Sequence, residues 1–358
     1  MKRRSRGGVA LGLLTVLGVA ILAAVSVLML SPVLLNDITP LVKGVEGGVG
    51  QALAPPSNST FGAPPLLYQN APRPPDYLLL VNYTLGLINQ DRSSNGGLNP
   101  VVLAYNPAAQ QHAYSMLLNG YLSHWDTQGY KPYMRYTITG GNGFVEENVG
   151  YVYLPGAYKT TAAVEDAIKR IEYEMVYNDA AHDWGHRLNI LDPSHTGVAI
   201  GVSYDSDYVY VVQDFSNDYI RWSQPITVSG GGNIVMSGDL DPASGMAADG
   251  IQMVQVFFDP WPARLTVLQL KSSPYDGPYS QGTFVAGVLP PGYGVQGGTT
   301  ITADQWLLSS THFAVSFSLA PVIKAEGPGC YTLYIAWKGS EGHQVLLTSY
   351  TVFVNPKA

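Results

Sequence analysis

The side chains able to do chemistry are few and scattered. Seven histidines and a single cysteine stand in a chain of 358 residues. Cys330 has no partner for an intramolecular disulfide, and no CxxC pair offers a metal or redox site. It lies in an alternating apolar run, which predicts a buried small hydrophobe rather than a reactive thiol. No GxSxG elbow announces a serine hydrolase, and no HExxH helix fixes two zinc ligands together. What remains is imidazole: His112, His124, and the pair His182 and His186, four apart and on one face if that stretch is helical. Imidazoles serve as metal ligands or as acids and bases, but only where a fold gathers them with other groups.

The elements that must do the gathering are legible in the periodicity. Leu78, Val81, Leu85 and Ile88 recur at helical spacing until a polar, Gly-containing break at 91–97. A second helix is expected after Asn106, an N-cap followed by Pro107, with Ala109, Ala113, Met116 and Leu117 as its stripe and Asn119-Gly120 as its stop. His112 beside that stripe reads as a packed helix residue. A loop rich in Gly and Tyr leads to a strand beginning at Phe144. A third helix is expected over 161–177, with Val164, Ile168, Ile171 and Met175 on one face, and an antiparallel hairpin over 196–202 and 208–215. Helices around a small antiparallel sheet make a layered α/β arrangement.

In order along 76–216 stand Asn89-Gln90-Asp91-Arg92, the Gly97-Leu98 turn, Tyr121-Leu122-Ser123-His124, Glu147-Asn148-Val149, Gly185-His186-Arg187-Leu188-Asn189-Ile190-Leu191, and Val198-Ala199-Ile200-Gly201-Val202. This succession resembles the prokaryotic branch of the CAP superfamily, the SCP-like domains that include cysteine-rich secretory and antigen-5-like proteins. The resemblance implies a cleft lined by two histidines and two acidic residues, able in some members to hold a divalent metal. Its positions here are His124, Glu147 and His186, with Glu174 as the fourth. Glu172 competes with Glu174, because residues two apart point about 200° around a helix and only one of them can face the cleft. Two imidazoles and two carboxylates suit Zn²⁺ or a similar ion, with His124 and His186 as the nitrogen ligands. The same four residues, hydrogen-bonded to one another, can instead hold the loops in place without metal. His182 is an additional nearby nitrogen, whereas His195, His312 and His343 fall in turns or strand flanks where exposure is expected.

A formal net charge of -7 and no basic stripe argue against a nucleic-acid partner. Charged residues are only 13% while Tyr, Gly and Pro are abundant, a balance that suits turn-rich β structure with wet, tyrosine-lined surfaces. Lys2, Arg3, Arg4 and Arg6 precede an uncharged apolar stretch over 7–30, long enough to cross a ~30 Å hydrocarbon core. The positive-inside bias puts everything after it on the outer face. A cleaved signal peptide, with Ala24-Val25-Ser26 as the cleavage site, is the competing reading, and the length of the apolar run favours the anchor. Both place the globular part outside. Residues 36–75, rich in Pro and Gly, read as a semi-extended tether.

After Trp222 the apolar period changes to two. Strands are expected at 226–229, 234–237, 251–258, 265–270, 283–289, 299–303, 313–319, 331–337 and 345–354, which favours an immunoglobulin-like β-sandwich. The expected organisation is a basic start and transmembrane anchor over 1–35, a tether over 36–75, a CAP domain over 76–220 and an all-β sandwich over 221–358. Functionally this predicts a surface protein binding a lipid, glycan or peptide in a His/Glu-lined cleft, with a metal-dependent hydrolase or a purely structural surface protein as alternatives.

Overall fold

The computed structural model describes residues 59–63 and 65–356. The expected anchor lies outside the described residues, and no helix among those described is long and apolar enough to cross a membrane.

Strand β1 (Ser59–Phe61) comes first, inside the segment expected to be a tether. Helix α1 (Tyr77–Ser94), β2 (Val102–Leu103), α2 (Ala108–Asn119), α3 (Pro132–Ile138), β3 (Phe144–Tyr153), α4 (Thr161–Tyr177), α5 (Gly185–Ile190), β4 (Gly197–Tyr204) and β5 (Tyr208–Asn217) follow. They build a four-stranded sheet in the order β2-β4-β5-β3, antiparallel except for the β2–β4 pair. Asn106 accepts a hydrogen bond from Ala108 N through its side chain, and Gly120 closes α2 in the left-handed conformation, as its sequence signals required.

Helices α1 and α4 cover one face of this sheet. Leu80, Val81 and Ile88 meet Val164, Ile168, Ile171 and Met175 above Val198, Ile200, Val202, Val209, Val211 and Phe215. Leu78, expected in the α1 stripe, is exposed instead, because the buried face runs through Leu80, Val81, Thr84, Ile88 and Arg92. Helix α2 covers the other face, with Ala109, Ala113 and Met116 against Val149, Ala199, Tyr210 and Val212. The approach is close enough that a Cβ at Gly201 would lie 2.1 Å from the Ala109 carbonyl oxygen.

The rest of the chain is rich in β structure: β6 (Ile220–Trp222), β7 (Thr227–Ser229), β8 (Asn233–Leu240), β9 (Ile251–Pro260), α6 (Val267–Leu270), β10 (Thr283–Leu289), β11 (Thr299–Thr302), β12 (Gln305–Ser309), β13 (His312–Ser318), α7 (Ala320–Glu326), β14 (Gly329–Lys338), β15 (Gln344–Leu346) and β16 (Tyr350–Pro356). One sheet runs β1-β16-β14-β9-β10-β11 with β15 beside β14, and the other runs β12-β13-β8-β6 with β7 beside β8. Ile234, Met236, Phe313, Val315 and Phe317 of the second share a core with Val254, Val256, Leu333, Ile335 and Val352 of the first. Residues 265–270, expected as a strand, are a helical turn instead: Thr266 and Gln269 form a reciprocal capping box that satisfies the amides a strand would have left to a ladder. The long strand expected over 345–354 is broken into β15 and β16.

The two halves share a buried seam. Lys131 Nζ donates to Asp259 Oδ1 at 2.7 Å and the Tyr133 hydroxyl to Asp259 Oδ2 at 2.6 Å. Leu66, Tyr130, Tyr133, Cys330 and Phe353 form one cluster across it. Cys330 is fully buried there, as its alternating run predicted.

Candidate functional site

Strand β3 is an edge of the four-stranded sheet, so its odd and even residues face opposite layers. Glu147 faces the α2 side. His124, in the turn after α2, donates from Nδ1 to Glu147 Oε1 at 3.0 Å. Arg135 of α3 donates from Nη2 to Glu147 Oε2 at 2.6 Å, and from Nη1 to the carbonyls of His124 and Tyr130 at 2.8 and 2.7 Å. Directly across the ladder, β5 sets Asp214 opposite Glu147, with Asp214 Oδ1 buried and unpartnered. Burial, reinforced by the neighbouring Glu147 charge, raises the Asp214 carboxyl well above its usual range. One guanidinium thus serves two carboxyls, and burial, opposed by Arg135, raises the Glu147 pKa as well, to about 7. His112 is buried behind this group and donates from Nε2 to the Ser123 carbonyl at 2.8 Å.

The cover over this cluster comes from the β-rich half. The Tyr279 ring packs against His124 at 4.9 Å between centroids, and its hydroxyl accepts from Glu147 N at 3.3 Å. Ser123 Oγ donates to the Tyr275 carbonyl at 2.6 Å. Burial first, then the proximity of His186 and the Arg135 guanidinium, pushes the His124 pKa down to about 3. His124 is a neutral imidazole with its Nδ1 proton on Glu147.

The even face carries the other histidines. Asn148 Nδ2 donates to the His186 carbonyl at 3.1 Å and to Gln213 Oε1 at 3.3 Å. Gln213 Nε2 in turn donates to Glu172 Oε2 at 2.6 Å. Glu172 is the buried acid of α4, and burial raises its pKa to about 8. Glu174 is exposed, with its carboxylate accepting from Asn178. The expectation that Glu174 faces the cleft is thus corrected: Ile171, Glu172, Met175 and Val176 are the buried face, and Glu174 sits outside it with Tyr173. His195 also departs from expectation, being buried between Asn189 and Asn217 with both ring nitrogens 2.8 Å from their amide oxygens.

Asp179, in the link from α4 to α5, ties the loop together. Its Oδ2 accepts from the backbone amides of His186 and Arg187 at 2.9 and 3.2 Å, while its Oδ1 accepts from His186 Nδ1 at 2.7 Å and His182 Nδ1 at 3.1 Å. Between the two histidines Asp183 and Trp184 are both left-handed, with φ of 53° and 63°.

Residues 85–215 match the model of the cysteine-rich secretory protein family, CAP. They form a CAP domain. Among solved structures the chain is similar to an extracellular protein containing an SCP domain from Bacillus anthracis str. Ames, with 20% identity and a TM-score of 0.29, covering 41% of this chain and 45% of that one. It is also similar to the CAP domain of Enterococcal PrgA, with 17% identity and a TM-score of 0.26, covering 38% of this chain and 59% of that one. The chain thus spans about half the length of these two. No curated protein matches it.

The metal that the CAP resemblance implies does not fit the four residues expected to hold it. Both Glu147 oxygens are committed, one to Arg135 and one to His124. Glu174 is outside the cleft. The CAP domain brings His124 and Glu147 together on one face of β3 and His186 to the other, near enough to influence His124. Arg135, Asp214, Asp179 and Tyr279 escaped sequence reasoning. A charged residue inside the apolar run 208–215 was a usable signal for Asp214, since an ionisable group at a buried strand position needs a partner. Tyr279, 132 residues from the amide it bonds, gave none.

Proposed function

We propose that the chain is an extracytoplasmic binding protein, anchored by residues 1–35, whose CAP domain recognises a glycan along β3 and whose β-rich half, read as an immunoglobulin-like sandwich, closes and presents that cleft. The observation that carries the binding reading over hydrolysis is the saturation of Glu147. A general base needs a free oxygen within reach of water, and here the buried carboxylate is held by Arg135 and His124 with Tyr279 packed over the imidazole. His124 and His186, with side chains 14% and 17% exposed, keep polar edges at the rim.

Of the three ligand classes that the sequence suggests, lipid, glycan and peptide, the tyrosines favour the glycan. Tyr151 and Tyr153 continue the β3 face that carries Glu147, about 13 Å and further along the strand. Both are exposed, and they pair across the ladder with Tyr210 and Tyr208. The rings lie near parallel, 5.3 Å apart at 16° for Tyr151 and Tyr210 and 4.6 Å at 33° for Tyr153 and Tyr208. Such a platform offers apolar faces to sugar rings and hydroxyls to their edges. Sedimentation of the full chain with purified envelope polysaccharide is the test. Tyr151→Ala with Tyr153→Ala should weaken binding by about tenfold or more, equivalent to ~1.4 kcal/mol. Unchanged binding in that variant, or polymer cleavage that Glu147→Gln abolishes, would sink this reading.

A further inference from the structure

We infer that Asp179, His182 and His186 form a divalent-metal site at the rim of the CAP domain, separate from the His124–Glu147 cluster and independent of the glycan reading. The three residues place one carboxylate oxygen and two imidazole nitrogens within 4.8 Å of one another. That donor set, two nitrogens and one oxygen, is what Zn²⁺ and similar borderline ions take. Asp179 Oδ1 already faces both Nδ1 atoms, at 2.7 and 3.1 Å, so small ring rotations exchange two hydrogen bonds for two metal bonds.

Three features separate this site from the neighbouring cluster. First, its charge is not neutralised: Glu147 has a guanidinium on it, whereas Asp179 accepts only from imidazoles and backbone amides. Second, the ligands grade from core to solvent. The Asp179 side chain is 1% exposed and His182 is 66% exposed, so the carboxylate is fixed while solvent reaches the outer imidazole. Third, the backbone is bent to make the pair. His182 ends a short 3-10 turn and His186 lies in α5, and the two rings stand 5.0 Å apart across Asp183 and Trp184, which both adopt left-handed conformations that side chains rarely take. Strain of that kind persists where the surrounding structure, or a ligand, holds it. The backbone amides of His186 and Arg187 fix the other Asp179 oxygen and so orient the carboxylate, as hydrogen bonds to a ligating group commonly do. Three protein ligands leave a tetrahedral ion one position for water or a ligand group.

The test is calorimetric titration of the metal-stripped full chain in detergent with Zn²⁺ alone, alongside Co²⁺ absorption as a report on coordination. One ion per chain is expected, weakening at least thirtyfold in His182→Ala, a change at an exposed side chain that leaves the fold intact by circular dichroism. His124→Ala should bind as the wild type does. Affinity should also fall in acid, because protons and metal compete for imidazole nitrogen. An absence of stoichiometric binding in the folded wild type overturns the site. So does binding that survives His182→Ala and is lost in His124→Ala.

Discussion

Two clusters of histidine and carboxylate lie on opposite sides of one edge strand, and they are built to opposite ends. The Glu147 cluster is closed on every side: Arg135 below, Asp214 across the ladder, Tyr279 above. The Asp179 cluster is open on one side, with the His182 imidazole in solvent and no Lys or Arg side chain paired with its carboxylate among the described residues. Both carboxylates are buried, and what divides them is the partner each one has: a guanidinium on Glu147, and on Asp179 imidazoles of which His182 is 66% exposed. A carboxylate out of water must be paired or protonated, and once paired it has little left to offer a substrate or an ion. A carboxylate in contact with imidazoles, one of them exposed, retains coordination capacity.

Arg135→Ala is the most damaging way to break that contrast. It strands the Glu147 charge and the carbonyls of His124 and Tyr130, and should cost about 3–5 kcal/mol in denaturant unfolding. Next is the pH response of Glu172, on the α4 side. Its pKa rises from 4.5 to about 8 on folding because it is buried. The folded state therefore holds a proton that the unfolded chain has released, and this contribution to stability is present below pH 4.5 and lost as pH rises toward 8. Glu172→Gln should reduce the fall in stability across that window, to which Glu146 and Glu147, raised to about 7 by burial, also contribute, and leave the variant more stable than wild type above it, by an amount on the order of a few kcal/mol. A fall of equal size in the variant would mean that another group titrates. Tyr279→Phe removes one hydroxyl from Glu147 N and should cost about 1 kcal/mol while leaving the ring over His124. The smallest change is His182→Ala, within about 0.5 kcal/mol of wild type without metal, as expected of an exposed side chain. A larger loss would show that the open cluster holds the fold together as the closed one does.

Much of the CAP layer was legible because its periodicities are local. Val164, Ile168, Ile171 and Met175 pointed inward as their spacing implied, and Asn106 and Gly120 marked the ends of α2. His124 and Glu147 met as the resemblance suggested. Glu174 misled because the buried face of α4 is broad enough to take Glu172 beside Ile171, and spacing alone does not say which edge of a stripe lies over the sheet. Residues 265–270 misled because an alternating apolar run of that length fits one helical turn as well as a short strand, and the capping box decided it. The seam was invisible, since Lys131 and Asp259 are 128 residues apart and each reads alone as a surface charge. Residues 59–61, inside the segment whose composition reads as a tether, form a strand that pairs with β16.

That pairing has a consequence for the order of events as the chain is made and folds. Strand β16 lies between β14 and β1, in register Ser59 with Pro356, and Leu66 packs in a cluster that contains Phe353. Residues 59–61 emerge early, yet the strand they pair with emerges nearly three hundred residues later. Contacts of such separation close slowly, and the exposed edge of an unpaired strand invites mispairing until they do. The CAP layer needs none of β16 for its own sheet and can form first. The last strand then acts as a bolt, drawing the earliest described residues and the β-rich half into one ladder in a single late step.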